Sequence, residues 1–534
     1  MIMQFNTSIL YSIILALLLF SGCSNAPVQQ TVKSDDPFHA LEELVVKQEL
    51  EDARYQHIAG YDYFFINLPL RYQLQHYQEL PNLQEKKKFV TNVIRQSKEV
   101  GEDAMELYLT RLTANQLKQF ATDHQGQPAD INGLLSNYQQ NALQAETAEV
   151  ARVNNFTTDS DLDQYWQSFV ANIEESIMTK DRLKRRLETF LAVPFIEAWI
   201  SYHEATDYRG ALKPDFKNYE IYSLSLDENR AGNISEANWK LLQHFAPVIV
   251  HEVNPDASYS IENDRFGTVY LTGSKHAELV PLVDTTKPVV YAYIDHKNIQ
   301  GHDVKQLVYT FFHPAHPQLS NSDPEAGPFD GWTIRVTLDQ SNQPLDFESV
   351  SNCGCYYKNY PTDQLEFMAS KSFSSKLKDK NFYVENAVDG KYDAVIPELV
   401  TDIDSSQANN IVAYYSAGYH HLITIRSKLH AELLNQTSPV KNYQLHNYEE
   451  LENLPFNGHL ASLFGTDGLV IGADRPECSL LKPSGVYHAG HPRQRETQMI
   501  YFDEAQFDDP ELLETYLRLP PNAFAEKNLV ISGD

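Results

Sequence analysis

Two short segments of the chain carry paired histidines at one spacing. Phe312-His313-Pro314-Ala315-His316-Pro317 and Tyr487-His488-Ala489-Gly490-His491-Pro492 both read His-x-x-His. Neutral imidazoles are ready ligands for zinc or copper. His313 and His316 each precede a proline, which biases them to β or polyproline II backbone. Polyproline II has three residues per turn, so the two rings would project from one side as a bidentate pair. Cys353-Gly354-Cys355 lies between the two histidine segments. Gly354 admits a positive φ that would let both sulfurs approach, and thiolates suit zinc or Cu(I). The candidate metal ligands are therefore His313, His316, Cys353, Cys355, His488 and His491. Zinc or copper is the candidate ion, and a metal-activated water with Asp or Glu as base is the candidate chemistry.

The same cysteines have other uses. In an oxidising compartment Cys353, Cys355 and Cys478 are disulfide candidates, an odd set that forms one bridge and leaves one thiol over. Catalytic thiol chemistry is a third use, and it needs a cationic or helix-end neighbour. His420-His421 is a further histidine candidate; on a strand its members face opposite ways, so one alone joins a given site. His251-Glu252 opens a zinc-protease motif, but Pro255 stands where the second histidine belongs. Asp323, Glu325 and Asp330 offer a carboxylate ligand or a general base, or form an acidic turn with Gly327 and Gly331. Arg475, Glu477, Arg493, Arg495 and Glu496 read as ion-pairing groups. No G-x-S-x-G elbow, phosphate loop or dinucleotide fingerprint is present. Asp402-Ile403-Asp404 begins like a calcium loop, but Ser406 and Gln407 do not continue it.

The elements that must hold these residues fall into two textures. Leu162, Trp166, Phe169, Val170, Ile173 and Ile177 form one helical stripe, with Ser160 as its expected N-cap and Asp163 three residues on. A second stripe, Leu183, Leu187, Phe190 and Leu191, runs up to Pro194, and Lys184, Arg185 and Arg186 form its solvated face. Beyond Gly210 short apolar runs replace these stripes. Val289–Ile294 and Leu307–Phe312 read as strands, and Thr333–Leu338 with Leu345–Val350 reads as a hairpin. Ile411–Tyr415 and His421–Ile425 form another strand pair. Asp509-Pro510-Glu511 reads as an N-cap, N1 proline and first-turn carboxylate before a closing helix through Leu512, Leu513, Tyr516 and Leu517. The expected fold class is α+β, a helical N-terminal half followed by a mixed, strand-rich C-terminal half. The expected limits are a helical region at 39–230 and a strand-rich α+β domain at 231–534.

The chain has 534 residues, 43 Lys+Arg against 72 Asp+Glu, and a net charge of −29. Such acidity excludes a nucleic-acid or anionic-membrane binder that relies on bulk charge. The 42% hydrophobic content suffices for a large core. The 31 tyrosines serve strand packing, and aromatic faces also stack on sugars.

The first twenty-three residues contain no Asp, Glu, Lys or Arg. Their centre is an apolar run from Ile9 to Phe20, too short to span a bilayer and suited to a secretory signal. It ends in Phe20-Ser21-Gly22-Cys23, followed by Ser24 and Asn25. This segment resembles the lipobox of bacterial lipoprotein precursors. The resemblance implies a signal peptide at 1–22 and a lipidated Cys23, and the polar stretch after it, without apolar periodicity, suits a flexible tether over 23–38. Ser24 is not Asp, which by the same resemblance implies the outer membrane, with the body facing the periplasm or the cell surface. Several acyl chains on one cysteine give stable anchoring. The expectation is thus a lipid-anchored cell-envelope lipoprotein, partnered with the membrane through its lipid and with no nucleic acid. Its C-terminal half carries either the metal site, for metal-dependent hydrolysis, or a structural disulfide within a non-enzymatic binding or assembly body.

Overall fold

The computed structural model describes residues 37–173, 218–225, 234–473 and 507–525, together with residues 475, 476 and 494. It leaves short interruptions at 49, 125–126, 274–278, 320–322, 324, 355, 388–395, 407, 409–410, 435–439, 508 and 510. The signal segment, the tether, and the stripe from Leu183 to Pro194 with its basic cluster lie outside the described residues.

The N-terminal half is built from helices α1 (Pro37–Lys47), α2 (Leu83–Arg111), α3 (Ala114–Asp123), α4 (Ile131–Asn155) and α5 (Asp159–Ala171). In α2 the buried residues Val90, Val93, Ile94, Ser97, Gly101, Ala104 and Tyr108 recur at three and four positions, one stripe turned to the helical core. Asn82 caps α2 by accepting from the Glu85 N–H, and Asp130 caps α4 by accepting from the Gly133 N–H. Gly101 permits the close approach of its neighbours, since a Cβ there would stand 2.5 Å from the Tyr63 carbonyl and 2.9 Å from Tyr138 Oη. Leu162, Trp166 and Phe169 are buried on α5 as their spacing predicts. The N-cap is Thr158 rather than Ser160, because Thr158 Oγ1 accepts from the Asp161 N–H and starts the helix earlier.

The C-terminal half is a ten-stranded mixed sheet, which with the helices ahead of it makes the fold α+β. Its strands are β1 (Tyr219–Leu224), β2 (Val248–Glu252), β3 (Val289–Ile299), β4 (His302–His316), β5 (Gly327–Leu338), β6 (Pro344–Ser351), β7 (Lys358–Pro361), β8 (Val412–Tyr415), β9 (Leu422–Arg426) and β10 (Lys441–Asn447). Their spatial order is β7-β6-β5-β4-β3-β10-β1-β2-β8-β9. The first strand thus lies ahead of the limit expected at 231. The hairpin expected from its alternation is β5 with β6, where Val336 pairs with Phe347. Strands β3 to β7 pair antiparallel, while β10 pairs parallel to both β3 and β1, and β2 parallel to β8. The closing helix is short, Leu512–Tyr516, and Asp509 closes the turn before it by accepting from the Glu511 N–H.

The sheet coils until its two flanks face each other over one apolar core. Phe311 of β4 and Trp332 of β5 meet Tyr415 of β8, with ring centroids 5.2 and 5.9 Å apart. Lys358 Nζ of β7 donates to the Leu422 carbonyl of β9 at 3.1 Å. A second core, with Tyr291, Val308 and Phe312, covers the opposite face.

A buried polar knot ties the two halves together. Asp52 Oδ2 accepts from Arg111 Nη2 at 2.8 Å, and Oδ1 accepts from Arg54 Nε at 3.0 Å and from Gln494 Nε2 at 2.8 Å. Arg54 Nη2 also reaches Glu452 Oε2 at 2.6 Å. Burial opposes the charge on Asp52, but the two guanidinium groups hold its carboxyl well below the usual carboxylate range. Its stabilising contribution is therefore present above pH ~4 and is lost as pH falls below the unfolded carboxylate pKa. Removing one partner of a buried pair strands the other charge. Asp52→Ala should lower stability by about 3–5 kcal/mol, read as a lower denaturant midpoint at pH 7; a loss under about 1 kcal/mol, the range of an exposed pair, would refute this role.

Candidate functional site

Several strands of the coiled sheet end in histidine, and the coil brings those ends together. His251 is on β2, His313 and His316 are at the end of β4, and His420 lies between β8 and β9. All four are buried, at 0 to 3% exposure. His251 Nε2 and His313 Nε2 stand 3.1 Å apart, and the rings of His313 and His420 stack at 4.0 Å between centroids.

Two carboxylates hold His420. Its Nδ1 donates to Asp330 Oδ2 at 2.9 Å, and its Nε2 lies 3.6 Å from Asp264 Oδ1. Asp264 is fixed by the backbone N–H groups of Asn254 and Gly418 and by Tyr259 Oη. Asp330 also accepts from Arg475 Nη2 at 2.9 Å, and His316 Nδ1 lies 3.4 Å away. Asp330 can sit so deep because Gly331 follows it: a Cβ there would come 2.5 Å from the Phe311 carbonyl. The local backbone is strained. His420, Phe329 and Tyr356 all have φ between 55 and 63°, a region bulky residues rarely occupy. Such outliers gather where surrounding structure enforces a functional geometry.

The environment drives the imidazoles apart in charge. Burial, then the charge of His420, pushes His251 down to about 4. Burial also places His313 well below its ordinary value, helped by His420 and His251. Burial works against His420 too, yet hydrogen bonds and charge from Asp264 and Asp330 raise its pKa. The tautomers follow. His251 Nδ1 faces the Glu252 carbonyl at 2.8 Å, which only accepts, so Nδ1 carries the proton and Nε2 the lone pair. His313 then donates from Nε2, and its Nδ1 is a buried base with no hydrogen-bond partner.

A carboxyl group stands beside this centre. Glu325 Oε1 accepts from Tyr356 Oη at 2.9 Å, and Oε2 lies 3.9 Å from His316 Nε2. Burial, with Cys353 and Asp323 nearby, pushes Glu325 up to about 8. Asp323 is anchored by the Leu319 and Glu325 N–H groups and stands 3.8 Å from His316 Nε2.

Of the expected metal ligands, His313, His316 and Cys353 are among the described residues. His313 and His316 flank the same centre, but on strand rather than polyproline II backbone. They do not act as a pair: His313 turns to His251, and His316 to Asp330 and the Asp323–Glu325 segment. Cys353 is buried, with its Sγ 2.8 Å from Ser351 Oγ. Gly354, at φ 93°, does supply the expected turn. Cys355, Cys478, His488 and His491 lie outside the described residues. Among the described residues no group of three or more His, Cys, Asp or Glu side chains is placed to hold a metal ion.

Of the adjacent pair, His420 joins the centre, while His421 packs against Tyr356 at 4.1 Å and Tyr419 at 5.3 Å between centroids. His251 and Asp264 are members that motif spacing did not find. The legible signal for His251 was an apolar strand ending in histidine, Val248-Ile249-Val250-His251; Asp264 has no such signal. Arg475 was read as an ion-pairing group, and it pairs with Asp330.

Comparison with protein-family models, with curated proteins and with solved structures finds no match to this chain.

The lowered pKa of His251 has a stability consequence with a definite sign. A buried neutral histidine contributes fully above its unfolded pKa of ~6.5, and that contribution is lost as pH falls toward the folded value of about 4. The span corresponds to roughly 3 kcal/mol. Denaturant midpoints measured between pH 7 and 4 should fall steeply in the wild type and less so in His251→Gln. Equal slopes in both would rule this out.

Proposed function

We propose that the chain is a lipid-anchored cell-envelope protein whose strand-rich body performs acid–base chemistry of the hydrolytic class. Cys23 would carry the lipid, and the outer membrane would be its location, with the body facing the periplasm or the cell surface. What supports the anchor is the order of apolar run, small residues and cysteine. Among the described residues no helix is long and apolar enough to cross a membrane.

The observation that carries the chemistry is a pair of stacked imidazoles, 4.0 Å apart, whose proton affinities are driven in opposite directions. Titratable neighbours whose pKa values are pushed apart are how one site supplies an acid and a base at one pH. His420, flanked by Asp264 and Asp330, holds a proton to give. His313 Nδ1 holds a lone pair to take one from a water or hydroxyl nucleophile. His251 fixes the His313 tautomer, so it is a positioning residue, and Asp264 and Asp330 position and charge His420.

Two measurements test this reading. Cys23→Ala should move the protein from the membrane fraction to the soluble fraction; an unchanged membrane fraction without lipid labelling would defeat the anchor. Detergent-solubilised full-length protein should hydrolyse one of three chromogenic classes, a carboxylic ester, a phosphate ester or a glycoside. That rate should drop about 10²–10⁴-fold in His420→Ala and His313→Ala, and persist in His421→Ala. Turnover absent from all three classes, or undiminished in the first two variants, overturns the hydrolytic assignment.

A further inference from the structure

The sheet face opposite the histidine centre carries a second buried polar array, on β4 to β7. Gln306 stands opposite Thr337, and Thr337 stands opposite Asp346. Asn359 pairs in register with Glu348, two residues along from Asp346 on the same face. Gln306 Nε2 donates to Thr337 Oγ1 at 3.0 Å, and Asn359 Nδ2 donates to Asp346 Oδ2 at 2.9 Å. Gln306 is 2% exposed, and Asp346 and Asn359 are fully buried.

The donors and acceptors of this row do not balance. Each amide uses its nitrogen within the row and keeps a buried carbonyl oxygen, while Asp346 keeps a buried carboxylate oxygen. Gln306 Oε1, Asn359 Oδ1 and Asp346 Oδ1 have no hydrogen-bond partner. Native interiors rarely leave such groups unmatched, and an unmatched set points to a bound ion or water.

Charge makes a related demand: burial, then the charge of Glu348, pushes the Asp346 carboxyl well above its ordinary value, so a proton or a cation must neutralise it. Glu348 is neutralised by Arg335, whose Nε and Nη2 each reach a carboxylate oxygen at 2.6 Å. Among the described residues no Lys, Arg or His forms an ion pair with Asp346. A proton on Asp346 Oδ1 would neutralise the carboxyl and let that oxygen donate to one amide carbonyl, which still leaves the other amide oxygen open. One negative charge with neutral carbonyl and hydroxyl oxygens is a donor set for a monovalent cation. Calcium sites draw on six to eight oxygens with more carboxylate charge.

We propose that Asp346, Asn359 and Gln306, with Thr337 Oγ1 beside them, bind a buried sodium or potassium ion that locks β4 to β7. The ion would neutralise Asp346 and give all three orphaned oxygens a partner. It is independent of the histidine centre, which lies on the other face of the sheet.

The test uses the full-length protein in neutral detergent, melted in sodium, potassium or choline chloride at equal ionic strength. Choline is too large for the row. The melting temperature should be about 2–4 °C higher in sodium or potassium than in choline, and the difference should vanish in Asp346→Asn. Equal melting in all three salts overturns the site and leaves Asp346 protonated. A difference that survives in Asp346→Asn overturns it as well, and the wild-type comparison decides the matter even where that variant does not fold. A shift with calcium chloride but with neither monovalent ion overturns the charge assignment.

Discussion

A carboxylate that is taken out of water must be matched by positive charge and hydrogen bonds, and Asp330 imposes that requirement on the C-terminal half. Its two oxygens draw His420, His316 and Arg475 to one place. These come from the β8–β9 connection, the end of β4 and a segment more than a hundred residues downstream of Asp330. Meeting that demand pins the approach of the two sheet flanks. With Asp264 it also raises the proton affinity of His420, whose charge adds to burial in lowering that of His313 and His251. One buried charge thus gathers the centre and, with burial and Asp264, shifts the proton affinities of its members.

The coil of the sheet makes this possible. In a flat ten-stranded sheet, β2 and β4 would be four places apart and their histidines well out of contact. Here aromatic residues of both flanks, Phe311, Trp332 and Tyr415, fill the space between them. The end of that core is where apolar side chains give way to imidazoles and carboxylates. Left-handed backbone at Phe329 and His420 aims Asp330 and the His420 ring inward at that point. The Asp52 knot plays a comparable part between the halves: one carboxylate gathers Arg54 and Arg111 of the helical region and accepts from Gln494, while Arg54 reaches Glu452.

Much of the architecture was legible because it depends on local periodicity. The stripe on α5, the β5–β6 hairpin, the strand runs of β3 and β4 and the pair β8–β9 all stand where alternation or helical spacing put them. Ends were harder to read. Thr158 rather than Ser160 caps α5, since either hydroxyl suits the role and three-dimensional context selects one. The site was legible by residue type but not by partnership. His313, His316, His420, Asp323, Glu325 and Asp330 were all candidates, yet the spacing that suggested a His313–His316 pair assumed the wrong backbone. His251 looked like a failed zinc-protease motif and instead ends a strand at the centre.

By itself, the sequence determined the acidity of the chain, the α+β order of elements and the stock of histidines and carboxylates. These follow from composition and from spacing along a few turns of chain. The tertiary structure alone decided which imidazoles meet, which way the proton affinity of each is shifted, and that Asp346 lies buried without an ion pair among the described residues. Those properties come from desolvation and from charges a few ångströms away in space but tens to hundreds of residues away in the chain, and no local pattern encodes such distances.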